Sequence, residues 1–238
     1  MKLLFDLHTH TLASGHAYST LRENIDVARE KGLLAYGFSD HAENMPGSTG
    51  NLFFVNFEAI PEIINDVRIY CGVEANITDY HGNIDCGERV QTNVDYIIAS
   101  MHLPCIPQTQ DVALVTKGLL NTMQNPRIKI IGHPDDSRYP CDYDAVVKEA
   151  VATKTVLELN NSSLGKRATR VNTYENILAM LKKCEKYGAK VIVGSDAHYC
   201  SEVGEFTSIL KILDDLKFPE ELVVNASIDG LKYVINKL

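Results

Sequence analysis

The sequence predicts an α/β fold with a mainly parallel sheet, because short apolar runs alternate with amphipathic segments along the whole chain. The chain has 238 residues, of which 45% are hydrophobic, and this length is common for a single α/β barrel-type domain. No linker-like change in composition divides the chain. We therefore expect residues 1–238 to form a single domain.

Seven apolar runs are the predicted strands. They cover residues 3–7, 33–39, 69–77, 95–100, 128–132, 155–160 and 190–195. Amphipathic segments with the helical period lie between or after them, at residues 19–32, 143–154, 173–188, 205–216 and 227–238. In the first of these segments, Ser19 is the predicted N-cap and Gly32 the predicted stop.

Histidines gather just past the ends of the predicted strands, beginning with His8 and His10 in the stretch "FDLHTH". His81 is the exception among the eight histidines. The carboxyl ends of strands form the active site in α/β barrels, and histidine with Asp or Glu is the ligand set for zinc, manganese or iron. The nine candidate metal ligands are His8, His10, His16, His41, Glu74, His102, His133, Asp196 and His198. One tetrahedral ion cannot use nine ligands, so we expect two or three ions with a carboxylate such as Glu74 bridging them.

The composition narrows the class of protein. The formal net charge of −8 argues against a broad basic surface for nucleic acid. No apolar stretch is long enough to cross a bilayer, and the amino terminus turns polar too soon for a signal peptide. The six cysteines form no C-x-x-C pair, and a chain of this length does not need disulfides for stability, so we expect free thiols in a reducing cytoplasm. Cys200, two residues after His198, is a candidate soft metal ligand.

Eight motifs occur in a fixed order: D-x-H-x-H, H-x-Y-S, S-D-H, G-x-E-A-N, "SMHLP", G-H-P, "ELNNSS" and G-S-D-x-H. In this pattern the chain resembles the PHP (polymerase and histidinol phosphatase domain) family, and most closely its YcdX-type bacterial phosphatases. The resemblance covers essentially the full chain. It implies a distorted seven-stranded (β/α) barrel, TIM-barrel-like, with a trinuclear metal centre.

The resemblance also implies how the ligands are shared among the ions. The three implied groups are His8, His10, Glu74 and Asp196 for one ion; Glu74 again with His102 and His133 for a second; and His16, His41 and His198 for a third. Three of these residues, Glu74, Asp196 and His198, are the candidate catalytic residues. We expect three divalent transition-metal ions, zinc first, with manganese or iron as alternatives.

Such a centre supports the hydrolysis of phosphate esters. Two close ions can share a bridging hydroxide as the nucleophile and can take up the charge that develops on a phosphoryl group. We expect a cytoplasmic, metal-dependent phosphatase that acts on a small phosphorylated metabolite, a phosphomonoester. The alternatives are a PHP-type phosphodiesterase or nuclease and, from a different class, a non-catalytic metal-binding module for a partner protein. The charge of −8 argues against the nuclease, and the complete ligand set against the module.

Further polar residues surround the predicted centre. Cations of the loop 160–170 and a tyrosine near His16 are candidates for binding the substrate, since phosphate recognition needs such donors. These residues are Lys166, Arg167, Arg170 and Tyr18. An exposed basic loop without this role is the alternative interpretation. Three further residues are candidates for orienting the imidazoles: Asp6, Asp40 and Asn160.

Overall fold

Seven parallel strands form a nearly closed barrel in the computed structural model, which describes residues 1–165 and 168–236. The strands are β1 (Phe5–Asp6), β2 (Ala35–Phe38), β3 (Ile63–Ile64), β4 (Val67–Asn76), β5 (Tyr96–Ser100), β6 (Ile128–Ile131), β7 (Val156–Asn160) and β8 (Val191–Gly194). The barrel order is β1-β2-β4-β5-β6-β7-β8, and the short β3 pairs antiparallel with β4. The predicted fold class, a distorted seven-stranded (β/α) barrel, is confirmed. The interpretation of the chain as one domain stays a prediction.

The helices lie outside the sheet, where their apolar faces and the outer faces of the strands form one core. In the described part of the chain they are α1 (Leu21–Glu30), α2 (Asn51–Phe54), α3 (Glu88–Asn93), α4 (Val112–Met123), α5 (Tyr143–Thr153), α6 (Thr173–Tyr187) and α7 (Thr207–Asp215). The predicted segments 143–154, 173–188 and 205–216 match the last three of these within two residues.

The start of α1 differs from the prediction by one residue. Thr20, and not Ser19, is the N-cap, because its hydroxyl accepts a hydrogen bond from Glu23 N (3.2 Å) while the Glu23 carboxylate accepts one from Thr20 N (2.7 Å). The Ser19 hydroxyl instead accepts a hydrogen bond from Cys200 N (2.8 Å). Sequence spacing alone does not distinguish two adjacent hydroxyl residues, since both types are good N-caps.

The predicted helix over residues 227–238 is wrong. The chain forms a 3₁₀ helix over Ile228–Tyr233, and residues 237 and 238 lie outside the described part. A Cβ atom at Gly230 would lie 1.7 Å from the Val224 carbonyl oxygen, so the backbones approach closely here. The segment packs into the second apolar core, which fills the barrel interior. This close packing favours the 3₁₀ helix and prevents the longer α-helix that the amphipathic pattern predicts.

Two glycines make room for a tyrosine inside the barrel. A Cβ atom at Gly37 or at Gly72 would lie 2.5 or 2.3 Å from atoms of the Tyr96 side chain. The buried Tyr96 hydroxyl donates a hydrogen bond to the Leu7 carbonyl (2.6 Å), which satisfies its polar end. The interior is therefore filled by side chains up to the level of the strand ends, and the polar residues gather above it.

One asparagine bridges the gap between the first and last strands of the barrel. Asn225 Nδ2 donates hydrogen bonds to the carbonyls of Phe5 (3.1 Å) and Val193 (2.8 Å), and Asn225 Oδ1 accepts one from Val193 N (3.1 Å). Nearer the carboxyl ends, Asp196 N donates to the His8 carbonyl (2.8 Å). The asparagine side chain thus replaces the backbone pairing that is missing between β1 and β8.

The described helices include none with the length and apolar character that a membrane crossing requires. The six cysteines, all within the described part of the chain, form no disulfide with one another. This agrees with their interpretation as thiols.

We expect Asn225→Ala to lower the free energy of unfolding by about 3 kcal/mol, because it leaves buried backbone groups of both strands without partners. Urea unfolding monitored by circular dichroism measures this change. The matched control is Asn51→Ala, which removes a surface hydrogen bond to Glu43 (2.8 Å). Equal small losses in the two variants would contradict the bridging role of Asn225.

Candidate metal centre

The strand ends bring the predicted metal ligands together at one end of the barrel. Glu74 lies on β4, and each of the other candidates except His16 follows closely on a strand: His8 and His10 after β1, His41 after β2, His102 after β5, His133 after β6, and Asp196 and His198 after β8. Past the ends of β1 and β8, a parallel bridge between Thr9 and Ala197 keeps the chain after β1 extended. Alternate residues therefore still point to one side here, as the stretch "FDLHTH" predicts.

The carboxylate of Glu74 is the centre of the cluster, and it is only 1% exposed. Five imidazoles surround it: His8 Nε2 (3.3 Å), His102 Nε2 (3.3 Å) and His133 Nε2 (3.1 Å) lie near Oε1, and His10 Nε2 (3.5 Å) and His41 Nδ1 (2.8 Å) lie near Oε2. Ligand atoms bound tetrahedrally at zinc distances lie about 3.3 Å apart. The spacing around both oxygens therefore fits shared metal ions.

Asp196 is the second buried carboxylate of the cluster. Its Oδ1 lies 3.2 Å from His10 Nε2, 3.6 Å from His8 Nε2 and 3.5 Å from His198 Nδ1. The other oxygen, Oδ2, accepts a hydrogen bond from Arg170 Nη2 (3.0 Å). Asp196 has the left-handed backbone conformation with φ of +54°, which places its side chain toward these imidazoles.

Several atoms of the cluster are buried and form no well-aligned hydrogen bond, although some lie close to one another. They are His8 Nε2, His10 Nε2, His41 Nδ1 and Glu74 Oε2. Buried polar atoms without partners are costly, and here they belong to side chains that meet at one place. Three groups have ligand atoms within 4.8 Å of one another: His8, His10 and Glu74; His41, Glu74 and His102; and His10, His41 and His198. The donor set therefore fits divalent metal ions.

Hydrogen bonds on the outer side of the first two histidines fix which ring nitrogen is protonated. His8 Nδ1 lies 2.6 Å from Glu158 Oε1, and a carboxylate can only accept. His10 Nδ1 lies 3.0 Å from Ser14 Oγ, whose own proton is donated to Asp40 Oδ1 (2.7 Å). Both Nδ1 atoms must therefore carry the proton, which leaves each Nε2 lone pair available to a metal ion.

Sequence reasoning missed Glu158, which connects three parts of the centre. Besides binding His8, its carboxylate accepts hydrogen bonds from His133 N (2.8 Å) and Asn160 Nδ2 (3.2 Å). His133 has a φ of +28°, and the hydrogen bond to Glu158 holds this unusual backbone. The available signal was the two-residue period of the strand "VLELN", which puts Glu158 on the same face as Asn160.

The three candidates for orienting imidazoles have different contacts. Asp40 accepts a hydrogen bond from the Ser14 hydroxyl, which in turn accepts one from His10 Nδ1. Asp6 accepts hydrogen bonds from backbone N–H groups of the surrounding loops. Asn160 donates hydrogen bonds to the carboxylates of Glu158 and Asp196 (both 3.2 Å). Asp40 thus supports an imidazole, whereas Asp6 holds the backbone and Asn160 holds carboxylates.

The third implied ligand group, His16, His41 and His198, is the most exposed to solvent of the three. The ring of His16 is exposed and lies 4.9 Å, between centroids, from the rings of both His41 and His198. Within residues 1–165 and 168–236, neither His16 nor Cys200 belongs to a close group of ligand atoms. His81 is exposed in its loop, as its place outside the sequence pattern predicts.

Two of the four predicted substrate residues, Tyr18 and Arg170, lie beside this open side. Tyr18 is 74% exposed, and its N–H donates a hydrogen bond to the His198 carbonyl (2.9 Å). The Arg170 guanidinium binds Asp196, and it also donates to Asn160 Oδ1 (3.2 Å) and Ser163 Oγ (3.1 Å). The other two predicted cations of this loop lie outside the described residues: Lys166 and Arg167.

Electrostatics favour cations at this centre. Burial raises the pKa of Glu74, but the surrounding imidazoles, His8 first among them, hold this pKa well below its usual range. Burial also raises the pKa of Asp196, but His8 and Arg170 hold it well below its usual range. Burial lowers the pKa of His8, yet Glu158, Glu74 and Asp196 hold it well above its usual value. Both Glu74 and Asp196 are therefore ionised, and their charge attracts metal ions.

The barrel and this cluster at its carboxyl end define a metal-dependent enzyme of the α/β-barrel class. The model of the PHP domain matches residues 6–162, and the chain belongs to the PHP domain family. A "Probable phosphatase" of Clostridium acetobutylicum is 43% identical over 94% of this chain and 91% of its own length. A "Probable phosphatase" of Caldanaerobacter subterraneus subsp. tengcongensis is 42% identical over 100% of this chain and 92% of its own length.

A solved structure supports the fold. The histidinol phosphate phosphatase of Lactococcus lactis, complexed with zinc, L-histidinol and phosphate, has a TM-score of 0.57 to this protein. It is 15% identical in sequence and covers 87% of this chain and 92% of its own chain. The predicted family is confirmed, and so is the predicted enzyme class, a metal-dependent phosphatase.

We expect Glu158→Gln to lower the zinc affinity by about 10- to 100-fold. Three N–H donors face the two carboxylate oxygens: His8 Nδ1 (2.6 Å) faces Oε1, and His133 N (2.8 Å) and Asn160 Nδ2 (3.2 Å) face Oε2. Glutamine offers only one acceptor oxygen, so its NH₂ group must face one of these donors. The clash is relieved when His8 moves its proton to Nε2, and this blocks the nitrogen that faces the metal site.

Competition with a chromophoric chelator measures the zinc affinity of Glu158→Gln. The matched control is Glu149→Gln, since the Glu149 carboxylate accepts a hydrogen bond from Gln124 (2.7 Å) on the protein surface. An unchanged affinity in Glu158→Gln would show that this carboxylate does not orient the metal ligands.

Proposed function

We propose that this protein is a phosphatase that hydrolyses a small phosphomonoester at a centre of three divalent ions. The observation that carries the proposal is the buried Glu74 carboxylate, whose two oxygens face different sets of imidazoles. A carboxylate in this position can bridge two ions. Membership of the PHP domain family and the relatives described above support the same reaction class.

Each proposed ion is bound by one group of side chains, and Glu74 belongs to two of these groups. The proposed groups are His8, His10, Glu74 and Asp196; Glu74, His102 and His133; and His16, His41 and His198. The contact of His41 Nδ1 with Glu74 Oε2 (2.8 Å) brings the third group close to the bridging carboxylate. Zinc is the first choice because imidazole nitrogens dominate the donor set, and manganese or iron suits the same ligands. When bound, such ions lower the pKa of water toward neutrality and neutralise phosphoryl charge.

The chain's own residues determine where the substrate can approach. His8, His10 and Glu74 are buried, whereas the side chains of His198 and Arg170 are 30% and 15% exposed. We therefore place the phosphate on the side of His198 and Arg170. Asp196, Asn160 and Ser163 hold the guanidinium there, and the proposal assigns its other N–H donors to the anion.

The rest of the substrate would extend toward the rim. Tyr18 lies there beside His198, and the proposal assigns it a contact with the alcohol part of the ester. Lys166 and Arg167 stay sequence-based candidates for a second anionic group. Glu74, Asp196 and His198 remain the candidate catalytic residues, since they combine metal binding with a position next to the proposed phosphate site.

Two alternatives differ from this proposal in chemistry. A phosphodiesterase or nuclease would have to attract a polyanion to a chain with a net charge of −8, which opposes long-range attraction. A non-catalytic module for a partner protein would not need a partly exposed His198 and Arg170 beside the buried ligands. The predicted cytoplasmic location stays a prediction.

We expect zinc-loaded protein to hydrolyse at least one member of a panel of phosphorylated metabolites. It should leave bis(p-nitrophenyl) phosphate and single-stranded DNA intact, because the proposed site binds a terminal phosphate. Release of inorganic phosphate measures the reaction, and chelation followed by zinc addition should abolish and then restore it. Hydrolysis of the diester or of DNA that is faster than hydrolysis of every phosphomonoester in the panel would contradict the proposal. The absence of any turnover by fully zinc-loaded protein would contradict it as well.

Two variants make this assay specific for the proposed centre. Glu74→Gln removes the charge of the bridging carboxylate and should lower kcat by about 100-fold or more. His81→Ala changes an exposed histidine outside the cluster and should leave kcat unchanged. Equal losses in both variants would place the reaction elsewhere.

A further inference from the structure

Asn76 connects a metal-ligand histidine to a loop farther along the chain. This residue is fully buried at the end of β4, and its Oδ1 lies 2.7 Å from His102 Nδ1. Its Nδ2 lies 2.6 Å from Asp85 Oδ2 and 3.4 Å from the Ala42 carbonyl oxygen. One amide thus contacts the imidazole on one side and two oxygen atoms on the other.

The two oxygen atoms determine which way the amide of Asn76 points. A carboxylate and a backbone carbonyl can only accept hydrogen bonds, so the NH₂ group must face Asp85 and Ala42. The reverse orientation would place the amide oxygen against both acceptors. The amide oxygen must therefore face His102, and it can only accept a hydrogen bond from this ring.

The consequence for His102 is a single tautomer. Its Nδ1 must carry the proton, and Nε2, which lies 3.3 Å from Glu74 Oε1, keeps its lone pair toward the metal site. We propose that Asp85 is a positioning residue that sets the tautomer of His102 for metal binding, acting through Asn76. This inference rests on the metal centre of the proposed function.

Asp85 has further contacts that suit this role. Its Oδ1 accepts a hydrogen bond from Asn76 N (2.7 Å), and its Oδ2 also accepts one from Asn44 N (2.9 Å). Asn44 follows His41 by three residues, so Asp85 joins the loops of two proposed ligands. All these contacts are N–H donors, and only a carboxylate can accept from them with both oxygens.

The test uses Asp85→Ala, with Asp85→Leu as a second variant. Neither side chain can accept a hydrogen bond, so Asn76 Nδ2 keeps only the longer contact with the Ala42 carbonyl (3.4 Å), and the Asn76 amide can flip. The matched control is Asp79→Ala in the same loop, because the Asp79 carboxylate binds His81 N (2.8 Å) and Asn83 Nδ2 (2.7 Å) and no proposed ligand. Thermal unfolding identifies any variant that does not fold.

Two measurements, which need no substrate, report the effect of the Asp85 variants on His102 and on zinc binding. The ring ¹⁵N signals of His102, in histidine-labelled protein, report the tautomer before and after zinc addition. Chelator competition reports the zinc affinity. We expect wild-type protein and Asp79→Ala to show only the Nδ1–H form. We expect either Asp85 variant to show a mixture of tautomers, with a zinc affinity about 10- to 100-fold lower.

The inference is overturned if a folded Asp85 variant retains the pure Nδ1–H form and wild-type zinc affinity. It is also overturned if Asp79→Ala has the same effect, because loop order and not the tautomer would then be responsible. A protein that binds zinc in this manner but hydrolyses no phosphomonoester would contradict the proposed function and leave the role of Asp85 intact.

Discussion

The buried negative charge of Glu74 is the constraint on which the arrangement of the strand ends depends. The strand ends must bring groups around this carboxylate that compensate its charge. A carboxylate that is 1% exposed is strongly unfavourable unless cations or hydrogen-bond donors surround it. The chain supplies imidazoles from four other strand ends for this purpose, after β1, β2, β5 and β6. In the proposed centre, divalent ions would complete the compensation, since the imidazole nitrogens would then be ligands and would not need to be protonated.

The same constraint explains the unusual backbone at the strand ends. His133 and Asp196 have φ angles of +28° and +54°, which non-glycine residues seldom adopt. Each is held by a hydrogen bond from its own N–H group, to Glu158 for His133 (2.8 Å) and to the His8 carbonyl for Asp196 (2.8 Å). Two residues with an unusual backbone thus lie where the side chains of the centre meet, and the surrounding hydrogen bonds maintain that geometry.

Much of this protein could be predicted from its sequence, because strands and their ends leave local signals. The apolar run of β7, for example, was predicted as residues 155–160 and is observed at Val156–Asn160. The contact between Glu158 and His8 could not be predicted in the same way, because it joins residues 150 positions apart. Its existence depends on which side chains face each other across the closed barrel. The 3₁₀ helix near the carboxyl terminus escaped prediction for a related reason, since its close packing on Val224 overrides its helical pattern.

In the proposed centre, Glu74 holds divalent ions together at the carboxyl end of the barrel. Anomalous diffraction at the zinc absorption edge, on crystals of zinc-loaded protein, tests this role most directly. We expect three anomalous peaks, with two of them on opposite oxygens of Glu74 and about 3.5–4 Å apart. A single peak, or peaks that do not contact Glu74, would show that Glu74 does not join the ions.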